Sequence, residues 1–190
     1  KPEVDIFWFK RDLRLNDNVG LFHALQSGRP ILPIFIFDRQ ILDKLEKPND
    51  LRVQFIHESL DEMNTVLKAV GSGMTVIYGT PDQVFTELLA TYKVCSVFTN
   101  HDYEPDAIKR DQSIADLLAS EGIGFSTFKD HVFFEKKEVT KDDGLPYTVF
   151  TPYSKRWKLR FSEQKNQTFP SEELTNQYLK YSSPEIPSLS

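Results

Sequence analysis

Five short apolar runs, continuous rather than alternating, constrain this chain most: residues 4–9, 31–37, 75–78, 95–99 and 124–128. Runs of this length, rich in β-branched and aromatic side chains, are how strands covered on both faces read. Helical patterns separate them. Residues 18–26 stop at Ser27-Gly28, and residues 52–70 place Val53, Ile56, Leu60, Met63 and Leu67 at three- and four-residue spacing before Gly71. Thr80-Pro81-Asp82 opens a third helix, with Thr80 as N-cap and Pro81 at the first helical position. Residues 105–120 form a fourth, with Ile108, Ile114, Ala115 and Leu118 on one side and Gly122 past its end. Strand and helix alternating in this way specify a parallel sheet wound by right-handed crossovers. The expected fold is therefore α/β: a doubly wound, Rossmann-like, five-stranded parallel sheet with helices on both faces, over residues 1–130.

Residues 131–190 read differently, as an interdomain connector. Lys141-Asp142-Asp143-Gly144 is a turn cluster, and residues 147–150 suit a short strand. Residues 152–167 read as a short helix with Tyr153, Trp157 and Phe161 at four-residue spacing. From Phe169 onward Pro, Ser, Asn and Glu dominate, which predicts an extended linker leading to a further domain.

Composition excludes several classes. A single Cys95 rules out an intrachain disulfide and a cysteine-built zinc site, and its place in a strand predicts an inert core thiol. His23, His57, His101 and His131 are scattered without a metal-ligand spacing, so no metal is expected. The net charge is −5, made of +1 from residue 131 on and −6 before it, so neither part is an electrostatic funnel for nucleic acid. Lys155, Arg156, Lys158 and Arg160 interleave with Trp157 and read as a solvated or docking face. No apolar run approaches the roughly 20 residues of a membrane span, and the start does not read as a signal peptide. No membrane partner is expected, and the location expected is cytoplasmic.

In a doubly wound sheet, ligands bind outside the carboxyl ends of the strands, where the strand order switches. The two richest polar clusters both follow strands: residues 10–18 after the first and residues 100–105 after the fourth. A strand order of 3-2-1-4-5 would make those strands neighbours, with Asp38 beside them at the end of the second. A purely structural alternative stands next to this one. Arg11, Asp12, Arg14 and Asp17 can pair among themselves and cap the first helix, while Asp102 and Glu104 suit the positive end of the fourth. The first strand–helix turn has no G-x-G-x-x-G and no P-loop, and no serine sits in a nucleophile elbow. No catalytic residue is expected in this chain.

The same residues resemble the photolyase/cryptochrome family. Residues 8–18, Trp-Phe-Lys-Arg-Asp-Leu-Arg-Leu-Asn-Asp-Asn, are similar to its opening signature. Pro33-Ile34-Phe35-Ile36-Phe37-Asp38 resembles its second strand, and Arg52, Phe55 and Glu58-Ser59-Leu60 its second helix. Asn100-His101-Asp102-Tyr103-Glu104-Pro105 with Arg110-Asp111, then residues 147–153 with Trp157, complete a match spread over roughly 150 residues. The resemblance implies the N-terminal antenna domain of a light-driven flavoprotein. Its parent would carry FAD on a C-terminal helical domain and repair cyclobutane pyrimidine dimers in damaged DNA, a carbon–carbon bond cleavage, and this chain alone would be inactive. The alternatives are the same domain in a cryptochrome photoreceptor, and a free-standing nucleotide-binding domain. Chromophore contacts carried over from the family fall on Arg11, Asp38, Arg52, Asp102 and Glu104. The resemblance favours 8-hydroxy-5-deazaflavin or a flavin over methenyltetrahydrofolate: residues 39–50 contain no His, and Asp106-Ala107 stands where folate-binding members carry an Asn-Glu pair.

Overall fold

In the computed structural model, which describes residues 1–45, 50–164 and 167–187, the five apolar runs do form one parallel sheet. Its strands are β1 (Glu3–Phe9), β2 (Ile31–Asp38), β3 (Thr75–Gly79), β4 (Lys93–Asn100) and β5 (Gly124–Phe128), in the order β3-β2-β1-β4-β5. Their chain connections are α1 (Val19–Leu25), a short α2 (Arg39–Leu42) with α3 (Leu51–Ala69), α4 (Pro81–Thr91) and α5 (Pro105–Ser120).

The continuous apolar runs are explained by what covers them. Side chains alternate across a strand, so Val4, Ile6 and Trp8 of β1 join Val84, Phe85, Ile114 and Leu118 of α4 and α5 in one core. Phe7 and Phe9 point the other way, into a second core with Leu21 and Leu25 of α1 and Leu60 and Leu67 of α3. From Val4 onward each face of the central strand is buried, so no position there favours a polar residue. Asp5 is the exception in that stretch, fully buried and held by Arg29 Nε at 2.9 Å.

Four local expectations are corrected. Residues 147–150 pair with no strand among the described residues; the chain instead enters α6 (Phe150–Glu163), whose N-cap Val149 is extended. The aromatic and β-branched character that suggested a strand serves a helix start. The expected end of that helix at residue 167 lies beyond Glu163, partly outside the described residues. Thr80 occupies the N-cap position of α4 but makes no side-chain capping bond. Cys95 is only half-buried, near the start of β4, rather than in the core.

Residues 167–187 are not the wholly extended linker expected: they contain two 3-10 turns, Ser171–Glu173 and Thr175–Gln177, and are packed against the domain rather than free. Ser171, fully buried, accepts from Asn18 N–H at 3.1 Å and donates to the Leu15 carbonyl at 2.6 Å. Tyr178 is 4% exposed, forms a parallel bridge with Ile31, and joins the α1/α3 core. Tyr181 donates to the Gly73 carbonyl at 2.8 Å. Polar composition concealed this, because the anchors are a few spaced side chains in an otherwise solvated strap.

Candidate functional site

The sheet order brings the polar loops after β1 and β4 side by side, and each is fixed from below. Asp12, 3% exposed, takes the Lys10 N–H on Oδ1 at 2.9 Å, while Oδ2 takes Asn100 Nδ2 at 2.6 Å and Asn18 Nδ2 at 3.3 Å. Burial alone would raise the Asp12 pKa, but His131 beside it, these amides and the Lys10 N–H hold it below its ordinary value. Asn18 caps α1 by accepting from Leu21 N–H at 3.1 Å. Asn100 Oδ1 accepts from Gly20 N–H at 2.9 Å, and a Cβ on Gly20 would lie 2.4 Å from that oxygen. Only glycine permits this approach of α1 to β4.

On this base stands an open crevice of about 680 Å³ at the carboxyl ends of β1 and β2. Trp8, Phe35, Phe37, Ile41, Leu42, Ile56 and Ala107 give it apolar wall. Arg11 closes its mouth on the β4 side, its Nε 3.3 Å from Asp102 and a terminal nitrogen 2.7 Å from Glu104. The hydrogen bond to Glu104, aided by the charge of Asp102, pushes the Arg11 pKa further up against burial, so the guanidinium stays charged. Asp102 is 5% exposed at its side chain and also takes the N–H groups of Tyr103 and Glu104, at 2.8 and 3.4 Å. Asp38 enters the wall while its carboxylate caps α2 through Gln40 N–H at 2.9 Å.

Four of the five residues expected at the site thus line one crevice: Arg11, Asp38, Asp102 and Glu104. Arg52 does not line it; at 77% side-chain exposure it pairs with Asp50 at 2.6 Å. The self-contained network expected among Arg11, Asp12, Arg14 and Asp17 is largely replaced by distant partners. Arg11 reaches the β4 loop, and Arg14, which still donates to the Asp17 carbonyl at 2.8 Å, forms its ion pair with Asp130 at 2.7 Å.

Other wall residues were not among the chromophore contacts carried over from the family. Lys10 is buried, and its ammonium lies 2.6 Å from Asp111; burial pulls its pKa down, with Asp111 opposing. Arg110 packs its guanidinium over Trp8 at 5.0 Å, and Lys44 and Lys109 add charge at the rim. Arg110-Asp111 was visible as part of a motif, but nothing local said that it faces β1. Asp12, Asp130 and His131 also gather ligand-type atoms within 4.8 Å. Arg14 and the Val19 N–H already occupy Asp130 Oδ1, at 2.7 and 3.0 Å, while Asp130 Oδ2 and His131 Nε2 are buried without a hydrogen-bond partner among the described residues.

A polar clamp holds the segment after β5 against this site. Glu135 takes Tyr103 Oη at 2.5 Å and pairs with His101 Nδ1 at 2.5 Å, while His101 Nε2 meets Thr127 Oγ1 at 3.0 Å. Burial and then Glu135 push the Tyr103 hydroxyl pKa upward, so it remains a donor.

Comparison with known proteins agrees with this architecture. The DNA photolyase family model matches residues 5–173. The deoxyribodipyrimidine photo-lyase of Alkalihalophilus pseudofirmus is 32% identical over 155 residues, covering 79% of this chain and 32% of that protein. Cryptochrome-2 of Arabidopsis thaliana is 30% identical over 153 residues, covering 80% of this chain and 24% of that one. The crystal structure of an archaeal photolyase from Sulfolobus tokodaii, described as holding two FAD molecules and as implying a novel light-harvesting cofactor, superposes with a TM-score of 0.70. It is 26% identical, and the match covers 97% of this chain and 43% of that one. The chain spans between about a third and about half the length of the first curated relatives it matches. With the signature residues converging on one crevice and the family model spanning most of the sequence, the chain belongs to the photolyase/cryptochrome family and corresponds to its N-terminal α/β domain.

Proposed function

We propose that this chain is the light-harvesting domain of a deoxyribodipyrimidine photo-lyase, holding an antenna chromophore in the crevice between the β1 and β4 loops. The observation that carries the reading is the crevice itself: apolar wall for a planar ring system, with Arg11, Asp38, Asp102 and Glu104 at its polar edge. Such a pocket suits a heteroaromatic ligand whose ring lies on hydrocarbon and whose carbonyls and hydroxyls meet a few placed polar groups. Arg11 would donate to a ring carbonyl or phosphate, and Asp102 and Glu104 would accept from hydroxyl or ring N–H donors. The chromophore, when bound, supplies absorption of blue light; the protein supplies orientation and exclusion of water.

An 8-hydroxy-5-deazaflavin or a flavin fits this lining better than methenyltetrahydrofolate. Asp106, solvated at the rim, and Ala107 both line the crevice, and neither is an amide, so this stretch offers no amide–carboxylate pair to a pteridine. FAD for catalysis and the contacts with damaged DNA would belong to a C-terminal helical domain of the parent protein. In this reading the chain alone has no repair activity. Among the described residues no helix is long and apolar enough to cross a membrane, which is compatible with a cytoplasmic repair protein.

The test is reconstitution of the chain with 8-hydroxy-5-deazaflavin, FMN, FAD and methenyltetrahydrofolate, followed by gel filtration and absorbance. Retention of a deazaflavin or flavin near one per chain, abolished by Asp102→Ala, is expected. Retention of none of these would refute the reading. The cryptochrome alternative is kept by the similar identity to Cryptochrome-2. Blue-light repair of a dimer-containing oligonucleotide by the parent protein, absent in the dark, separates the two.

A further inference from the structure

The floor of the crevice carries an arrangement that ligand binding does not require. Trp8 is 2% exposed and packs edge-on against Phe85 at 5.2 Å. Two cations stand over its ring: Lys10 Nζ at 5.3 Å and Arg110 Cζ at 5.0 Å from the centroid. One carboxylate serves both, Asp111 lying 2.6 Å from Lys10 and 2.8 Å from Arg110. The trio therefore carries a net positive charge beside the indole. Asp102 lies 3.9 Å from Arg110 and shares Arg11 with Glu104, so the wider network is balanced and the positive excess is local to the two cations over the ring. Arg110 keeps 18% side-chain exposure where Lys10 keeps 4%, so a molecule entering the crevice meets the guanidinium before the indole.

An indole is among the most readily oxidised side chains, and one beneath a photoexcited dye is a potential quencher. Quenching would move one electron from Trp8 to the excited chromophore: the indole is oxidised to a radical cation and the chromophore is reduced. No other oxidant takes part. A cation facing a neutral indole is attracted by the ring quadrupole, but the same cation repels the positive charge that electron loss would create. In a partly desolvated site that repulsion is only weakly screened. We propose that Lys10 and Arg110 make Trp8 a poor electron donor and so protect the excited state of a chromophore bound in the crevice. The inference rests on the light-harvesting reading and adds a reason for two cations on one ring.

Time-resolved fluorescence of the chain loaded with 8-hydroxy-5-deazaflavin or FMN tests it. Arg110→Gln should shorten the lifetime at least twofold and yield the transient absorption of an indole radical. Arg110→Lys should keep the long lifetime, and Trp8→Phe in the Arg110→Gln background should restore it. Trp8→Phe alone gives a second test that leaves both cations in place, and its lifetime should match wild type. An unchanged lifetime in Arg110→Gln overturns the proposal. So does a shortening that Trp8→Phe fails to restore, or a twofold lengthening in Trp8→Phe alone. Failure of the wild-type chain to retain either dye, seen by absorbance before any lifetime is measured, overturns the light-harvesting reading and the inference with it.

Discussion

Replacing Asn100 by alanine should remove far more stability than the loss of one small polar side chain suggests. Asn100 is fully buried at the end of β4. Its amide donates to Asp12 at 2.6 Å and to Asn18 at 2.8 Å, and its carbonyl accepts from Gly20 N–H at 2.9 Å. The bond to the ionised Asp12 is worth about 1.5–3 kcal/mol and each neutral bond about 1 kcal/mol. The total is about 3.5–5 kcal/mol, less whatever a water filling the vacated space recovers by meeting the same partners. Urea denaturation of wild type, Asn100→Ala, Asp12→Asn and the double variant measures both the loss and the coupling. The Asn100–Asp12 coupling should be about 1 kcal/mol, since Asp12→Asn keeps an acceptor oxygen and removes only the charge that roughly doubles the strength of this bond. A loss in Asn100→Ala below about 1 kcal/mol, or single losses that simply add, would refute the account of Asn100 as the tie between the β1 and β4 loops.

Tyr178→Ala should cost about 3–5 kcal/mol, as for a large core aromatic, although it lies in what reads as a linker; a change under about 1 kcal/mol by thermal unfolding would show the strap to be loose. Trp157→Ala should act locally, because α6 has no fully buried residue and Trp157 packs on Phe133, Phe134 and Phe161. Hydrogen exchange should speed up in α6 while global stability falls by about 1–2 kcal/mol, and unchanged exchange in α6 would contradict this. Asp12 is held below its ordinary value of 3.8, so the unfolded chain binds that proton first as pH falls. Its contribution is complete above about 3.8 and disappears as pH drops through the lower folded value. Acid titration should therefore show a loss of stability in wild type that Asp12→Asn lacks, and parallel curves would exclude the mechanism.

Much of the fold was readable because it is encoded locally. Hydrophobic runs, Gly71 and Gly122 as helix stops, and Pro81 and Pro105 at helix starts act within a few residues of where they stand. Once a strand must be covered on both faces, the alternation of helices leaves few topologies. The same reasoning placed Arg11, Asp38, Asp102 and Glu104 at adjoining strand ends, because topology alone brings those ends together. Arg52 stands apart from the crevice because a helix-start arginine has a carboxylate two residues before it, Asp50, that captures the guanidinium.

The sequence by itself determined the elements, their order along the chain and the end of the sheet at which polar loops gather, since each depends on the periodicity of neighbouring residues. Only the tertiary structure decided the partners. Arg14 meets Asp130 across 116 positions, Lys10 meets Asp111 across 101, and Ser171 meets Asn18 across 153. It also revealed that the tail is a strap and that two cations share the Trp8 ring. Buried polar groups take whichever partner the packed fold brings within about 3 Å. That choice is a property of three-dimensional proximity, to which no local pattern of residues has access.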